Sequence, residues 1–260
     1  MFIAYCPERV LPGNAMKEII NNDRVIGGID KKSTKHIINF YSKYINGKLV
    51  PTNSKTAEMC KLVENAYRDS QIAFANELSM ISEEAKINDR ELIKLANMHP
   101  RVNILEPGAG VGGHCIAIDP YFIVSDFPQS SKLISVSREV NITKTNWCID
   151  KIKKTIYSFK IKYKRNPVIS ILGLTYKPDI DDIRESPANF IANKIKDDFE
   201  KYTIFFVDPN LKKHKSLVIT SLKDSLIKSD MIVILVKHKE FYSIKIKSNQ
   251  ILLDFVGITK

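Results

Sequence analysis

The sequence predicts an α/β protein, and three observations carry that expectation. After Asn166-Pro167 the apolar runs VISILGL (168–174), YTIFFVD (202–208), MIVILV (231–236) and ILLDF (251–255) alternate with helical patterns, as in a parallel sheet wound with helices. From Ser54 to Glu84 the apolar residues Met59, Leu62, Val63, Ala66, Ile72, Ala73, Leu78 and Ile81 recur at helical spacing, predicting one long helix. Ahead of it, FIAYC (2–6), RVIGG (24–28) and KLVPT (48–52) read as short strands.

Along the chain, a turn at Pro12-Gly13 separates the first two strands, and the periodicity of STKHIINFYSKYI predicts a helix from Ser33 to Ile45. These are pieces of an α/β unit, too few to close a sheet around a core. Lys61 and Asn65, four residues apart on the long helix, share a face. Asn88 and Glu91 resemble a capping box that opens a helix through Met98, with Pro100 helping to stop it. RVNIL (101–105) fits a strand, and a further helix is expected over 131–160. Ser186-Pro187 supplies an N-cap and first-turn proline for the next helix. The expected organisation is a sheet remnant over 1–53, a central helical region over 54–165 and a Rossmann-like parallel-sheet domain over 166–260.

The 260 residues carry 40 Lys+Arg against 29 Asp+Glu, a net charge of +11. The basic residues are scattered, with short clusters at KIKK (151–154) and KIKYKR (160–165) and no interleaving with aromatics in an RNP or zinc-finger pattern, so charge is a matter of solubility and steering rather than nucleic-acid binding. No apolar run reaches the roughly 20 residues that span a bilayer, and MFIAYCPERV lacks the shape of a signal peptide. Cys6, Cys60, Cys115 and Cys148 are widely spaced, which excludes a C-x-x-C metal site or a disulfide framework. Three of the four are expected as small buried residues. The expectation is a cytoplasmic protein with no metal, nucleic-acid or membrane partner.

PGAGVGGHCIAIDP (107–120) holds Gly108, Gly110 and Gly113 in G-x-G-x-x-G spacing. A dinucleotide loop would open a helix there, yet Pro120 interrupts one within two turns, so the context fails. The other reading is that the glycines let a substrate pass close to the backbone. Cys115, with a carboxylate four residues on at Asp119, then has the spacing of a nucleophile beside a general acid/base, the alternative being an inert loop cysteine. On residue pattern alone, His114 is a packing or surface residue, Lys61 and Asn65 are a solvated helix face, Asp119 a turn residue, and Glu8 a surface carboxylate.

GVGGHCIAIDPYF resembles the catalytic-cysteine loop of the UDP-glucose/GDP-mannose dehydrogenase family. AYCPERVLPG, NDRVIGGID, TAEMCKLVENAYRD, ANMHPRVNILEPGAGVGGHC and GLTYKPDIDDIRESPA extend the resemblance, in order, over essentially the whole chain. It implies oxidation of a nucleotide sugar's C6 alcohol to a carboxylate in two NAD-dependent steps, through an aldehyde and a cysteine thioester. By resemblance Cys115 is the nucleophile, and Asp119 positions or activates the hydrolytic water. Lys61 stabilises oxyanion charge and favours the thiolate, Asn65 holds the same water or oxygen, and Glu8 takes part in acid/base work. The resemblance also gives Arg101 a contact to the sugar nucleotide of a neighbouring subunit. It gives Gly110, Gly112 and Gly113 room for the sugar, Lys177 a substrate contact and Arg184 a contact to the dinucleotide. It implies a UDP-sugar substrate and a homodimer through the long helix.

The sequence departs from the family in three places. Ala117 stands where the loop usually has proline, and DFVGITK lacks the basic residue relatives often carry after the strand's aspartate. No other G-x-G-x-x-G is present, so the family's first strand and pyrophosphate loop have no counterpart. Three readings of that gap are a split enzyme completed by a separately encoded NAD-binding half, a non-catalytic remnant that dimerises and binds UDP-sugar, and a basic interaction protein on a borrowed scaffold.

Overall fold

The structure, a computed structural model, describes residues 1–10 and 15–259, so the predicted Pro12-Gly13 turn lies outside the described residues. The chain divides into two compact units, Met1–Tyr67 and Arg68–Lys260.

The first unit holds β1 (Ala4–Tyr5), α1 (Ala15–Asn21), β2 (Arg24–Gly28), α2 (Lys31–Tyr41), β3 (Leu49–Asn53) and the beginning of α3 (Ser54–Glu84). The sheet order is β1-β2-β3; β1 runs antiparallel to β2, and β2 runs parallel to β3 through the α2 crossover. Pro51 is tolerated in β3 because β3 is an edge strand, where a missing N–H breaks no second ladder. The Asp30 carboxylate caps α2 by accepting from Ser33 N at 2.6 Å, which starts the helix two residues before the periodicity placed it. The seven residues of α1 are too few turns for a periodic signal, and the sequence reading missed them.

In the second unit the rest of α3 is followed by α4 (Asp89–Ala96), α5 (Asp119–Asp126) and α6 (Lys132–Tyr163). Then come β4 (Ile169–Leu172), α7 (Pro187–Asp198), β5 (Ile204–Val207), α8 (Leu222–Lys228), β6 (Met231–Ile234), a 3₁₀ turn (Lys239–Ser243) and β7 (Ile251–Asp254). All four strands are parallel, in the order β5-β4-β6-β7. The central strands β4 and β6 are buried along their whole length, as expected of a sheet covered on both faces. Ile171 and Val233 pack with Ile152 and Ile156 of α6 and Ile191 and Ile195 of α7; Leu172, Ile232 and Ile234 pack with Phe241. Two caps fall where the sequence placed them. Asn88 Oδ1 accepts from Arg90 N and Glu91 N, and Ser186 Oγ accepts from Asn189 N at 3.2 Å.

Three expectations need correction. Residues 101–105 form no strand: the Asn97 carboxamide binds both backbone groups of Ile104, donating to its O at 2.9 Å and accepting from its N at 2.7 Å, which takes the place of a ladder partner. Pro120 does not break a helix but stands in the first turn of α5, where its missing N–H is harmless. Of the cysteines only Cys148 is buried, while Cys6, Cys60 and Cys115 are half-buried.

A polar seam joins α3 to α6. Asp69, Asn76 and Ser79 of α3 face Arg138, Asn141, Lys144 and Thr145 of α6, and every one of these residues is buried. His238, fully buried after β6, ties the strand ends together. Its Nδ1 accepts from Asp179 N at 3.1 Å, so Nε2 carries the proton towards Asp208 Oδ2 at 3.2 Å. Burial alone would push the Asp208 carboxyl up. Hydrogen bonds from His238 and from the N–H groups of Leu174 and Asn210 outweigh it and hold the carboxyl below its ordinary value. One ligand atom each from Asp179, His238 and Glu240 lie within 4.8 Å of one another, but the His238 Nδ1 lone pair is already engaged by the Asp179 N–H.

Candidate active site

The strand order places a switch point in the second sheet. From β4 the chain crosses to β5 on one side, then to β6 on the other, so a crevice opens at the carboxyl ends of β4 and β6. A cleft of ≈ 390 Å³ lies there. Thr175 and Tyr176 line it beyond β4, Val236 and Lys237 beyond β6, and the glycine loop contributes Gly108 to Gly110. Lys237 Nζ meets Glu106 Oε2 at 2.8 Å on the rim.

The glycine loop is held on both sides. Gly108 N donates to Asn76 Oδ1 at 2.9 Å, and the Thr145 hydroxyl donates to Ala109 O at 2.9 Å. Further on, Gly113 N donates to Arg184 O at 3.2 Å. Gly110 (φ 132°) and Gly113 (φ 87°) lie in backbone conformations that side chains resist. A Cβ on Gly110 would meet the Thr145 hydroxyl, one on Gly112 would lie 2.7 Å from Pro187 Cδ, and one on Gly113 would lie 2.9 Å from the Tyr176 ring. Atoms of this chain therefore fill the space in front of all three. The open space is at Gly108, where a Cβ would meet nothing within 4 Å. Gly112→Ala is expected to overpack the loop against Pro187 and the backbone of Glu185, costing about 1–3 kcal/mol. Urea unfolding of the variant checks this, and unchanged stability would show that the segment yields.

Cys115 follows in a turn and is half-buried. Its carbonyl accepts from Ile118 N at 3.0 Å and Asp119 N at 2.8 Å, so the backbone of Cys115 stands one turn ahead of Asp119, the first residue of α5. His114 is exposed. Burial, added to by the Asp182 carboxylate, pushes the Tyr176 phenol up, and Cys115 is near enough to add to the same effect. Arg184 is exposed and gripped by Asp182, with Nη2 at 2.6 Å from Oδ2; these hydrogen bonds push the guanidinium up and the carboxyl down. Lys177 and Arg101 are exposed, with Arg101 in the turn after α4. Sequence reasoning singled out Gly108 only for its spacing and missed Asn76, Thr145 and Tyr176.

In the first unit, Lys61 Nζ donates to Glu8 O at 3.0 Å, and Asn65 follows one turn along α3. The Glu8 carboxylate is taken up by Arg24 Nη2 at 3.0 Å and Arg9 N at 2.9 Å. At the β2–α2 turn, a Cβ on Gly28 would collide with Thr34, and the Asp30 carboxylate occupies the helix start. A phosphate would face that carboxylate, so this turn does not fit a dinucleotide's pyrophosphate.

A parallel sheet with a switch-point cleft, lined in part by the glycine loop that leads into Cys115, defines a doubly wound α/β protein with a candidate thiol nucleophile. The chain belongs to the UDP-glucose/GDP-mannose dehydrogenase family: its NAD binding domain matches residues 1–45, its central domain 55–143 and its UDP binding domain 170–260. Among relatives, a UDP-N-acetyl-D-mannosamine dehydrogenase of Campylobacter jejuni is 48% identical over 250 residues, covering 94% of this chain and 60% of that protein. An enzyme of the same name from Yersinia pestis is 51% identical over 251 residues, 94% of this chain and 60% of its own length. An NDP-N-acetyl-D-galactosaminuronic acid dehydrogenase of Ralstonia nicotianae is 45% identical over 243 residues, 92% of this chain and 56% of its own length. The chain thus spans about 60% of the curated relatives it matches. Among solved structures, UDP-D-ManNAc dehydrogenase from Pyrococcus horikoshii superposes with a TM-score of 0.87 at 34% identity, covering 100% of this chain and 62% of that one. UDP-N-acetyl-mannosamine dehydrogenase from S. aureus gives 0.82 at 36%, covering 98% of this chain and 64% of that one.

Proposed function

We propose that this chain carries the thiol and nucleotide-sugar part of an NAD-dependent dehydrogenase that oxidises UDP-N-acetyl-D-mannosamine to its uronate. The observation that carries the reading is the glycine loop, fixed beside the switch-point cleft and leading into Cys115. The UDP-sugar enters past Gly108, where space is open. The relatives' printed names favour this hexosamine. Its regions follow the division 1–53, 54–165 and 166–260, and it works in the cytoplasm as a homodimer.

NAD, when bound, supplies the hydride acceptor for both oxidations, and Arg184 is the exposed cation offered to it. In the first oxidation the C6 hydroxyl loses its proton and C6 loses a hydride, leaving an aldehyde. The Cys115 thiolate then adds to C6, forming a C–S bond and a hemithioacetal oxyanion. Loss of a second hydride from that carbon leaves a thioester. Water, oriented by Asp119, cleaves the C–S bond, releasing carboxylate and thiolate. For Lys61 we propose oxyanion stabilisation, for Asn65 a hydrogen bond to the same oxygen or water, and for Glu8 proton transfer. Lys177 and Arg101 are proposed to meet the UDP-sugar, Arg101 that of a neighbouring subunit.

The test is NADH formation from UDP-N-acetyl-D-mannosamine and NAD. It is run on this chain alone and with a separately produced NAD-binding segment of a relative, with Cys115→Ala beside it. Turnover in either arrangement, lost in Cys115→Ala, is expected. No turnover from folded components would leave a UDP-sugar-binding protein, and turnover that survives in Cys115→Ala would remove the thiol from the mechanism.

A further inference from the structure

The loop that carries Cys115 makes two hydrogen bonds with the polar seam between α3 and α6, donating one and accepting the other, and the mechanism uses neither. Thr145, 9% exposed, has two carbonyls within reach of its one hydroxyl hydrogen, Ala109 O at 2.9 Å and Asn141 O at 3.3 Å, and the shorter bond goes to the loop. Its oxygen also fills the place a Cβ on Gly110 would take, so the hydroxyl abuts the loop backbone. One residue earlier, Gly108 N donates to Asn76 Oδ1 at 2.9 Å. Asn76 is itself fixed: its Nδ2 donates to Asn141 Oδ1 at 2.9 Å, and Asn141 Nδ2 donates to Asp69 Oδ1 at 2.8 Å. Arg138 closes the chain on the same Asp69 oxygen at 2.5 Å. Ala109 is buried, so its carbonyl needs a protein donor, and the Thr145 hydroxyl is the donor it has.

We propose that the Thr145 hydroxyl is a positioning group for Cys115, setting the place of the glycine loop on α6 through the Ala109 carbonyl. Thr145 does not touch the thiol. It acts through residues 110–113, whose three glycines pack against Thr145, Pro187 and Tyr176 without space to absorb a shift. A displacement at Ala109 therefore passes along the loop to Cys115 rather than dissipating. The inference rests on Cys115 as the nucleophile. Its test reads the position of the thiol, which has meaning whether or not the chain turns over a sugar.

Thr145→Val keeps the shape and removes the hydroxyl, Thr145→Ser keeps the hydroxyl, and Thr145→Ala removes it without a new methyl beside Gly110. Each variant is alkylated with iodoacetamide over a range of pH, and modification at every cysteine is followed by peptide mass spectrometry. Cys148, fully buried on the same helix, reports global unfolding, and half-buried Cys60 serves as the reference. In Val and Ala the Cys115 rate is expected to rise several-fold relative to Cys60, with a displaced pH profile and Cys148 still protected. Ser is expected to behave as the parent. Where turnover is measurable, kcat falls by up to about 100-fold while KM holds. An unchanged Cys115 rate and pH profile in Val and Ala would overturn the proposal, as would Ser sharing their change. Exposure of Cys148 in both Val and Ala would also overturn it, making the hydroxyl a determinant of the fold rather than of the loop.

Discussion

Asp69→Ala is expected to destabilise the protein by about 3–5 kcal/mol, measured by urea unfolding. Asp69 is fully buried and accepts from Arg138 Nη1 at 2.5 Å and Asn141 Nδ2 at 2.8 Å. Burial pushes its carboxyl up, against the opposing pull of Arg138 and Asn141, so desolvation is the largest influence on it. Removing the carboxylate leaves the Arg138 guanidinium, only 7% exposed, buried without its counter-charge. That unpaired charge, more than the lost bond, accounts for the size of the effect. The double variant Asp69→Leu, Arg138→Met removes both charges together and is expected to recover most of the loss. A double variant as unstable as Asp69→Ala would mean that the seam's value lies in its geometry rather than in charge pairing.

Lys144 gives the second large effect, and it depends on pH. Its ammonium is 2% exposed, donates to Ser79 Oγ at 2.6 Å and stands 3.9 Å from the centroid of Trp147. Burial pulls its pKa down from 10.5 to about 8, with the thiol of Cys148 among the weaker opposing influences. Between pH 8 and 10.5 the unfolded chain binds a proton that the native state has released, so stability rises with pH across that window. The contribution is fully present above the unfolded value and is lost as pH falls through the native one. About 2.5 pH units correspond to roughly 3 kcal/mol. The parent chain is therefore expected to gain about that much relative to Lys144→Met from pH 8 to pH 10.5. Trp147 is the only tryptophan, and its fluorescence is expected to titrate near pH 8 in the parent and not in the variant. Parallel stability curves for the two proteins would show that the buried ammonium keeps its proton.

Much of the fold was legible because the signals are local. Strands β4 to β7 are apolar runs whose burial depends on their own residues, and α3 matched its periodicity from Ser54 to Glu84. Ser186-Pro187 and Asn88 announced helix starts because a cap bonds within three residues. Cys115 and Asp119 were marked by their motif. RVNIL misled because its apolar pattern suits a strand, while its hydrogen bonds go to the Asn97 side chain.

By itself the sequence determined the α/β class, the four strands of the second sheet and the family whose cysteine loop it carries. Tertiary structure decided why the loop is glycine-rich, which of those glycines faces open space, and what anchors it. Gly112 and Gly113 are glycines because Pro187 and Tyr176 press on them from a segment more than sixty residues away. Asn76, Asn141, Lys144 and Thr145 read as ordinary polar helix positions. Only their pairing across 65 residues, as between Asn76 and Asn141, makes them a buried seam. The physical reason is that propensity and periodicity act over one or two turns. Satisfaction of a buried polar group depends on whichever distant residue the fold brings to it.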